Sequence, residues 1–277
     1  MWLWLVLAVA PAILPYVPSL GGGFALDDWQ LVVQDPLAHS IGNWRDAFFT
    51  DFLRGSLGKD IIYYRPLVTI SYQLNYSLFG PDPLAFRLTN ILLNALVAVL
   101  VFFLGLRLTK SAVAAGLAAL AFAVLPSHAE SVAWISGRTD VMSVLFMLAS
   151  LLAFAASCDR REFNWPLALA SSLAFLCALL SKEQALVLPV LLVVYAWISG
   201  KRMGASEALK WAAVLLIPLV AFLLVRRSVV GVAVDTHLMN ALGRRLLGVG
   251  IAYASYLRML FLPRELQVVY DVFPDFS

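Results

Sequence analysis

Two adjacent carboxylates, Asp27 and Asp28, follow directly after the glycine-rich end of a long apolar run. Neighbouring carboxylates repel each other, and an apolar boundary disfavours charge, so at least one pKa of the pair should be raised. Such a pair suits a general base or a metal ligand. It would equally serve as a solvated loop start or a helix N-cap, so the dipeptide alone leaves both interpretations open.

A second group of ionisable residues lies between two later apolar runs, within residues 126–140. His128 and Glu130 are two residues apart, and Arg138 and Asp140 follow. The spacing of His128 and Glu130 differs from the i, i+4 repeat of a helical zinc motif, so the sequence predicts no metal from them. Helix capping explains Asp140 as well as a functional role does, but it explains Arg138 less well.

Charged residues also interrupt three other apolar runs. Lys182 and Glu183 break the apolar stretch 173–194. Arg87 begins a polar stripe on the run 83–108, and Arg226 directly follows the run 208–225. Charges at such positions pair with each other, line a cavity or extend to the membrane surface. An anionic ligand and simple extension to the surface both remain open for the two arginines.

The composition identifies the chain as a membrane protein. Of its 277 residues, 62% are hydrophobic and 13% are charged, which excludes an ordinary soluble globule. The mean hydropathy of +0.86 argues against disorder. The net charge of +3 gives no reason to expect nucleic acid as a partner. The expected surroundings are a lipid bilayer.

Eight apolar runs approach the length that a bilayer-crossing helix requires. The last run is the least distinct. The runs are 2–20, 83–108, 111–135, 141–157, 165–180, 185–198, 208–225 and 238–262. The sequence therefore predicts an all-α polytopic membrane protein with about seven to eight transmembrane helices. We expect residues 1–228 to form one transmembrane module and residues 229–277 an outer segment with a possible further helix.

Lysine and arginine are concentrated in the short connections after the second, fourth and sixth runs. Positive residues are retained on the cytoplasmic side, so these three connections should be cytoplasmic. The long segment 21–82 and the turns near 127–140 and 181–184 should then face outside. Apolar residues recur at helical spacing in 41–53 and in 66–79. We expect two interfacial helices there, lying flat over the outer end of the bundle.

The outer ends of the runs thus combine carboxylates with arginine and lysine. Guanidinium groups bind phosphate oxygens bidentately, and a carboxylate can deprotonate a hydroxyl. The sequence resembles the GT-C class of polytopic glycosyltransferases, which use polyprenyl-phosphate sugars. It is most similar to the transmembrane and tetratricopeptide-repeat O-mannosyltransferase family and its bacterial relatives. The motifs that carry the resemblance are Leu26-Asp27-Asp28, Tyr64-Arg65-Pro66-Leu67, Phe86-Arg87-Leu88-Thr89-Asn90, Pro126-Ser127-His128-Ala129-Glu130, Gly137-Arg138-Thr139-Asp140 and Ser181-Lys182-Glu183.

The resemblance implies transfer of a hexose, with mannose as one candidate, from a polyprenyl-phosphate donor to a hydroxyl of a protein or glycan. Asp27 is the implied catalytic base, and Asp28 is its positioning partner or an alternative base. The reaction would invert the anomeric centre. The residues expected to bind the donor phosphate are Arg138, Lys182, Arg226 and Arg87. Those expected to position substrates, by location only, are His128, Glu130, Asp140, Glu183, Tyr64 and Arg65.

Several points stay open. A divalent cation would fit if Asp27, Asp28 and Glu130 converge, and no other cofactor is implied. We expect the bacterial inner membrane rather than the endoplasmic reticulum, with the active site on the extracytoplasmic face. Relatives of the tetratricopeptide group continue into helical repeats, so we expect this chain to be a fragment. A flippase for a polyprenyl-linked sugar is the main alternative function, and a structural scaffold is the third.

Overall fold

The computed structural model describes residues 2–52, 63–160, 162–201, 203–230, 249–251 and 253–254. Within these ranges the chain forms helices and turns and contains no strand. Four helical segments are long and apolar enough to cross a membrane: Leu3–Gly21, Pro83–Thr109, Arg138–Cys158 and Ala205–Val230. The predicted fold class is confirmed, and the protein is an all-α membrane protein.

Nine α-helices can be numbered along the described part of the chain. They are α1 (Trp2–Ile13), α2 (Pro66–Phe79), α3 (Pro83–Thr109), α4 (Ala112–Ala123), α5 (His128–Ala133), α6 (Arg138–Cys158), α7 (Trp165–Leu179), α8 (Leu188–Ile198) and α9 (Ala205–Val230). A 3-10 helix, Leu14–Gly21, continues α1, and another, Glu183–Val187, precedes α8. The predicted span 238–262 lies almost entirely outside the described residues, and the division at residue 228 stays a prediction.

Side-chain caps set where several of the helices begin. The Asp82 carboxylate accepts a hydrogen bond from the Leu84 N–H at the start of α3, and the Asn164 side chain accepts one from Leu167 at the start of α7. Both caps are followed by a proline in the first turn, where its missing N–H costs nothing. The α3 helix ends at Thr109, and its C-cap residue, Lys110, takes the left-handed conformation with φ 56°.

The third predicted span, 111–135, is wrong as a single helix. Its α-helix, α4, ends at Ala123, and the chain then turns before α5 begins at His128. Pro126 lies in that turn, and proline disfavours helix both at its own position and at the residue before it. With 12 residues, α4 is about 18 Å long and does not cross the bilayer core by itself.

The two predicted interfacial helices have different outcomes. The helix predicted for residues 66–79 is confirmed as α2. The helix predicted for 41–53 is wrong, because the described part of that segment forms two short 3-10 turns, Ile41–Asn43 and Asp46–Phe48. The Ser40 side chain caps the first turn by accepting from the Gly42 N–H, and such local hydrogen bonds compete with a continuous helix.

The helix α3 lies at the centre of one half of the bundle, where it packs against α1, α4 and α6. The helix α6 in turn packs against α7, which contacts α9. Large apolar side chains on the opposite faces stay exposed, as a bilayer requires, including Leu92 and Leu96 on α3 and Leu169 and Leu173 on α7. The starts of α3 and α6 therefore lie side by side with the loops that follow α1.

The end of the bundle away from those starts carries paired basic residues. Asp159, which follows α6, contacts Arg107 at 2.6 Å and Lys201 at 3.0 Å. The hydrogen bond from Lys201 is the main cause that lowers the pKa of Asp159. This charge distribution agrees with the basic connections found in the sequence, while the orientation of the chain in the membrane stays a prediction.

Close packing of α1 on α4 depends on Gly116. A Cβ atom at this position would lie 2.4 Å from an indole carbon of Trp4. We expect Gly116→Ala to lower the free energy of unfolding by about 1–3 kcal/mol through overpacking. Thermal unfolding of the purified protein in detergent measures this. Gly21→Ala is the matched control, because a Cβ at Gly21 meets no atom within 4 Å; equal melting temperatures for the two variants would contradict the packing argument.

Candidate active site

A cavity of about 440 Å³ lies where the loop after α1 meets the starts of α5 and α6 and the end of α7. Its size suits a small ligand or one end of a larger one. Polar side chains predominate in its lining. The lining residues are Asp27, Leu31, Phe52, Tyr63, Arg65, Glu130, Ser131, Trp134, Ser136, Gly137, Thr139, Asp140, Lys182 and Gln184. The cavity thus brings together five charged residues that the sequence motifs separate.

The two adjacent aspartates have opposite environments. Asp27 is exposed and lines the cavity. Asp28 is 0% exposed, and its two carboxylate oxygens accept hydrogen bonds from the backbone N–H groups of Ala25 and Ser136, each at 3.0 Å. Burial raises the pKa of Asp28, although these hydrogen bonds oppose the shift. Asp28 therefore joins the loop after α1 to the turn before α6, and of the two aspartates only Asp27 lines the cavity.

The turn between α5 and α6, residues 134–137, forms one wall of the cavity. Asn90 donates to the carbonyl oxygen of Trp134 at 2.9 Å, and the Tyr72 hydroxyl donates to that of Ile135 at 3.2 Å. Gly137 permits the tight path of the chain, because a Cβ there would lie 2.7 Å from the carbonyl oxygens of Glu130 and Ser131. The wall is thus held by helices α2 and α3 from behind.

Arg138 lies behind that wall and does not face the cavity. Its side chain is 0% exposed, and its N–H groups donate to neutral oxygens of α2 and α3. Those acceptors are the Asn90 side chain at 2.7 Å, the Asn75 side chain at 2.6 Å, the Phe86 carbonyl at 2.8 Å and the Ser71 hydroxyl at 3.2 Å. The expectation that Arg138 binds a donor phosphate is corrected on this geometry, because its donors are already engaged.

Besides Arg138, Asp28, Tyr64 and Glu183, three further predicted residues lie outside the cavity lining: Arg87, His128 and Arg226. Arg87 is buried and donates to the carbonyl oxygens of Ala133, Gly22 and Gly23, which closes the loop after α1. His128 is half-buried and packs on the Phe122 ring, and burial lowers its pKa. Arg226 lies near the C-terminal end of α9 and outside the cavity lining. The structure therefore assigns Arg87 a role in holding the loop after α1, and it places neither His128 nor Arg226 in the cavity lining.

The two cations of the cavity already have carboxylate partners. The Lys182 ammonium lies 2.5 Å from Asp140, which also accepts from the Gln184 amide at 3.3 Å. The Arg65 guanidinium lies 3.6 Å from Glu183 and packs over the rings of Tyr63 and Phe52 at 4.5 and 5.4 Å. Glu183 itself lies just outside the lining. These are part-exposed ion pairs that a ligand can reach.

Tyr64 supports this arrangement from below. Its ring is buried and its hydroxyl donates to the Phe48 carbonyl at 3.0 Å. Burial raises the pKa of Tyr64 to about 12. The tyrosine therefore anchors the loop that carries Arg65. Any positioning role of Tyr64 is thus indirect.

Several lining residues are absent from the sequence motifs, among them Tyr63, Trp134 and Gln184. Tyr63 is two positions from Arg65, Trp134 is four positions from Glu130, and Gln184 directly follows Glu183, and this proximity to charged motif residues was the available signal. Across the described ranges, no group of three or more histidine, cysteine, aspartate or glutamate side chains could hold a metal ion. These residues therefore provide no candidate set of ligands for the divalent cation that the sequence analysis left open.

Comparison with known proteins gives a family. The family described as dolichyl-phosphate-mannose-protein mannosyltransferase matches residues 66–226, more than half of the chain. The chain belongs to this mannosyltransferase family. Arg65, Asp27 and Asp28 precede the matched residues, whereas Glu130, Asp140 and Lys182 fall within them. The predicted family resemblance is confirmed.

Individual relatives agree with the family match. The chain is 36% identical over 197 residues to "Protein O-mannosyl-transferase tmtc2" of Xenopus laevis, covering 69% of this chain and 23% of that protein. It is 34% identical to human "Protein O-mannosyl-transferase TMTC2", covering 65% and 22%, and 32% identical to "Protein O-mannosyl-transferase F38B6.6" of Caenorhabditis elegans, covering 66% and 26%.

The chain thus spans about a quarter of the length of these curated relatives. All three come from animals, so they lend no support to the predicted bacterial inner membrane. No solved structure matches the chain.

The buried clasp formed by Asp28 predicts a stability difference between the two aspartates. In Asp28→Asn one backbone N–H, of Ala25 or Ser136, would face an amide N–H and lose its acceptor. We expect a loss of about 1–3 kcal/mol of folding free energy. Asp27→Asn, a matched change at the exposed neighbour, should leave stability within about 0.5 kcal/mol. Thermal unfolding of both variants in detergent makes the comparison, and equal melting temperatures would show that Asp28 is not a clasp.

Proposed function

We propose that this protein is a membrane glycosyltransferase that moves a mannosyl group from a polyprenyl-phosphate carrier to a hydroxyl, with serine or threonine of a protein as the preferred acceptor. The observation that carries the proposal is the single cavity in which exposed Asp27 meets the cations Arg65 and Lys182. Membership of the mannosyltransferase family and the names of the relatives support the sugar and the acceptor.

Asp27 is the proposed general base. Its carboxylate is exposed in the cavity, and among the described residues no side chain or backbone group donates to it. A carboxylate in this state can accept the proton of the acceptor hydroxyl while that oxygen attacks the anomeric carbon. The bond between the anomeric carbon and the phosphate oxygen breaks in the same step, and its electron pair leaves with the polyprenyl phosphate.

Lys182 and Arg65 are the proposed ligands of the departing phosphate. Negative charge grows on the phosphate as the bond breaks, and fixed cations in a partly water-excluded cavity stabilise such charge. The planar guanidinium of Arg65 can bind two phosphate oxygens, and Lys182 supplies a compact positive charge. Asp140 and Glu183 hold these cations while the donor is absent. The buried arginines take no part in this assignment.

Inversion of the anomeric centre is part of the proposal. The proposed base and the proposed phosphate ligand come from different parts of the chain, Asp27 from the loop after α1 and Lys182 from the end of α7. A single displacement needs the attacking oxygen and the leaving oxygen on opposite faces of the sugar ring. We also place the cavity on the extracytoplasmic side, because the basic end of the bundle is the opposite one.

A flippase for the same lipid is the alternative function. A transporter should place its ionisable residues near the bilayer midplane, on interrupted helices. The cavity residues instead lie at helix ends: Asp140 is in the first turn of α6, and Lys182 lies between α7 and the 3-10 helix Glu183–Val187. This position favours the transferase.

The base assignment predicts a loss of catalysis without a loss of structure. We expect Asp27→Asn to lower the rate of mannosyl transfer at least about 100-fold, since an amide cannot take up the proton. The assay uses a short-chain polyprenyl-phosphate mannose and a serine- and threonine-rich peptide, followed by peptide mass spectrometry.

The matched control for this variant is Asp46→Asn. Asp46 is an exposed aspartate of the same outer segment that does not line the cavity. Its substitution should leave the transfer rate within about twofold. Full activity of Asp27→Asn would rule out Asp27 as the base.

The phosphate assignment predicts a loss of donor affinity. We expect Lys182→Gln to raise the dissociation constant for the lipid-phosphate donor about tenfold, because a charge-assisted hydrogen bond is lost. Lys110→Gln, at the opposite end of the bundle, is the control. Titration of both variants with the donor in lipid nanodiscs measures the constants. Wild-type donor affinity in Lys182→Gln would remove Lys182 from the site.

A further inference from the structure

Trp134 lines the cavity from the wall between α5 and α6 and has no role in the proposal so far. Its ring is half-buried. The indole N–H donates to the carbonyl oxygen of Ala25 at 3.2 Å, so the ring is held to the loop that carries the two aspartates. A tryptophan anchored by its polar edge presents its flat apolar face.

The other aromatic residues of the cavity are already occupied. The rings of Tyr63 and Phe52 pack against the guanidinium of Arg65. Among the described residues, by contrast, no aromatic ring or cation stacks on Trp134. Of the three aromatic rings that line the cavity, the Trp134 indole is thus the one without a described aromatic or cationic partner.

Hydrogen-bonding groups line the same cavity as this indole. Glu130 precedes Trp134 by four residues, and the Trp134 backbone N–H donates to the Glu130 carbonyl at 3.3 Å, so one hydrogen-bonded turn at the end of α5 joins the two residues. The Glu130 carboxylate is exposed and lines the cavity together with the Ser131 and Thr139 side chains and the Gln184 amide. A flat apolar surface thus lies beside several acceptors of hydrogen bonds.

A pyranose ring matches this combination. One face of the ring presents C–H groups, while its hydroxyls project from the rim. The C–H face packs on an aromatic surface, and carboxylates accept strong hydrogen bonds from the hydroxyls. A peptide backbone or a prenyl chain would use only one of these two features, since a backbone lacks the apolar face and a prenyl chain lacks the donors.

We propose that Trp134 and Glu130 form the subsite for the sugar ring, with the ring stacked on the indole and its hydroxyls bonded to Glu130. The assignment rests on the proposed function for the identity of the donor. It separates recognition of the sugar at Trp134 from recognition of the phosphate at Lys182 and Arg65. Trp134 would then determine affinity for the sugar-bearing lipid and not for the lipid phosphate itself.

Two lipids test this separation: a short-chain polyprenyl-phosphate mannose and the same polyprenyl phosphate without sugar. Their dissociation constants are measured by titration of the full chain in lipid nanodiscs. For Trp134→Ala we expect about tenfold weaker binding of the mannose-bearing lipid and a change within about twofold for the sugar-free lipid.

Trp134→Phe is the second variant, because it keeps an aromatic face and loses the hydrogen bond to Ala25. It should bind the mannose-bearing lipid within about threefold of wild type if stacking is the role. Trp44→Ala removes an exposed tryptophan outside the cavity and should change neither constant.

Three outcomes would overturn the subsite: unchanged affinity of Trp134→Ala for the mannose-bearing lipid, equal weakening for both lipids, or equal weakening in the alanine and phenylalanine variants. The last two would assign Trp134 to folding of the wall. Binding is measured without turnover, so the test is separate from the transferase proposal. Sugar-selective loss in a protein that transfers nothing would retain the subsite and refute the transferase, and wild-type binding by Trp134→Ala in an active enzyme would do the reverse.

Discussion

The buried guanidinium of Arg138 is the interaction on which the cavity end of the bundle depends. A charge that is 0% exposed must have its donors satisfied, and its acceptors come from two different helices, α2 and α3. Those helices are therefore fixed relative to the first turn of α6. Asp140 is in that same first turn, so the buried charge sets the position of a carboxylate that does face the cavity.

Asn90 transmits this constraint to the wall of the cavity. Its side-chain oxygen, Oδ1, accepts from Arg138 at 2.7 Å, and its side-chain nitrogen, Nδ2, donates to the Trp134 backbone carbonyl at 2.9 Å. From the other side, Asp28 holds the Ser136 N–H. Such a network is strong only when each member is satisfied. Buried ionic residues thus hold the wall, while their sequence neighbours, exposed Asp27 and half-buried Asp140, line the cavity.

The sequence predicted the helices well where a long apolar run decides them, as for α3 and α6, because exclusion of polar groups from the bilayer is a strong constraint. It failed for residues 41–53, where hydrogen bonds around Ser40 and Gly42 decide the backbone. The sequence located the end of the bundle at which the cavity lies. It could not show which motif residues line the cavity and which are buried behind it. Asp27 and Asp28 are adjacent, and only the fold shows which of the two is buried.

The same distinction explains why the proposed phosphate ligands are the cavity pairs and not the buried arginines. The pairs Lys182–Asp140 and Arg65–Glu183 are part-exposed, and an ion pair of that kind contributes only about 0–1 kcal/mol. A phosphate can replace the carboxylate at small cost. Taking a donor of Arg138 away from Asn75 or Asn90 would leave buried polar groups unsatisfied, which costs more than the new contact returns. Exchange of partners is therefore feasible at Lys182 and Arg65, where the carboxylates released by the exchange become available to hydroxyl groups of a bound sugar or acceptor.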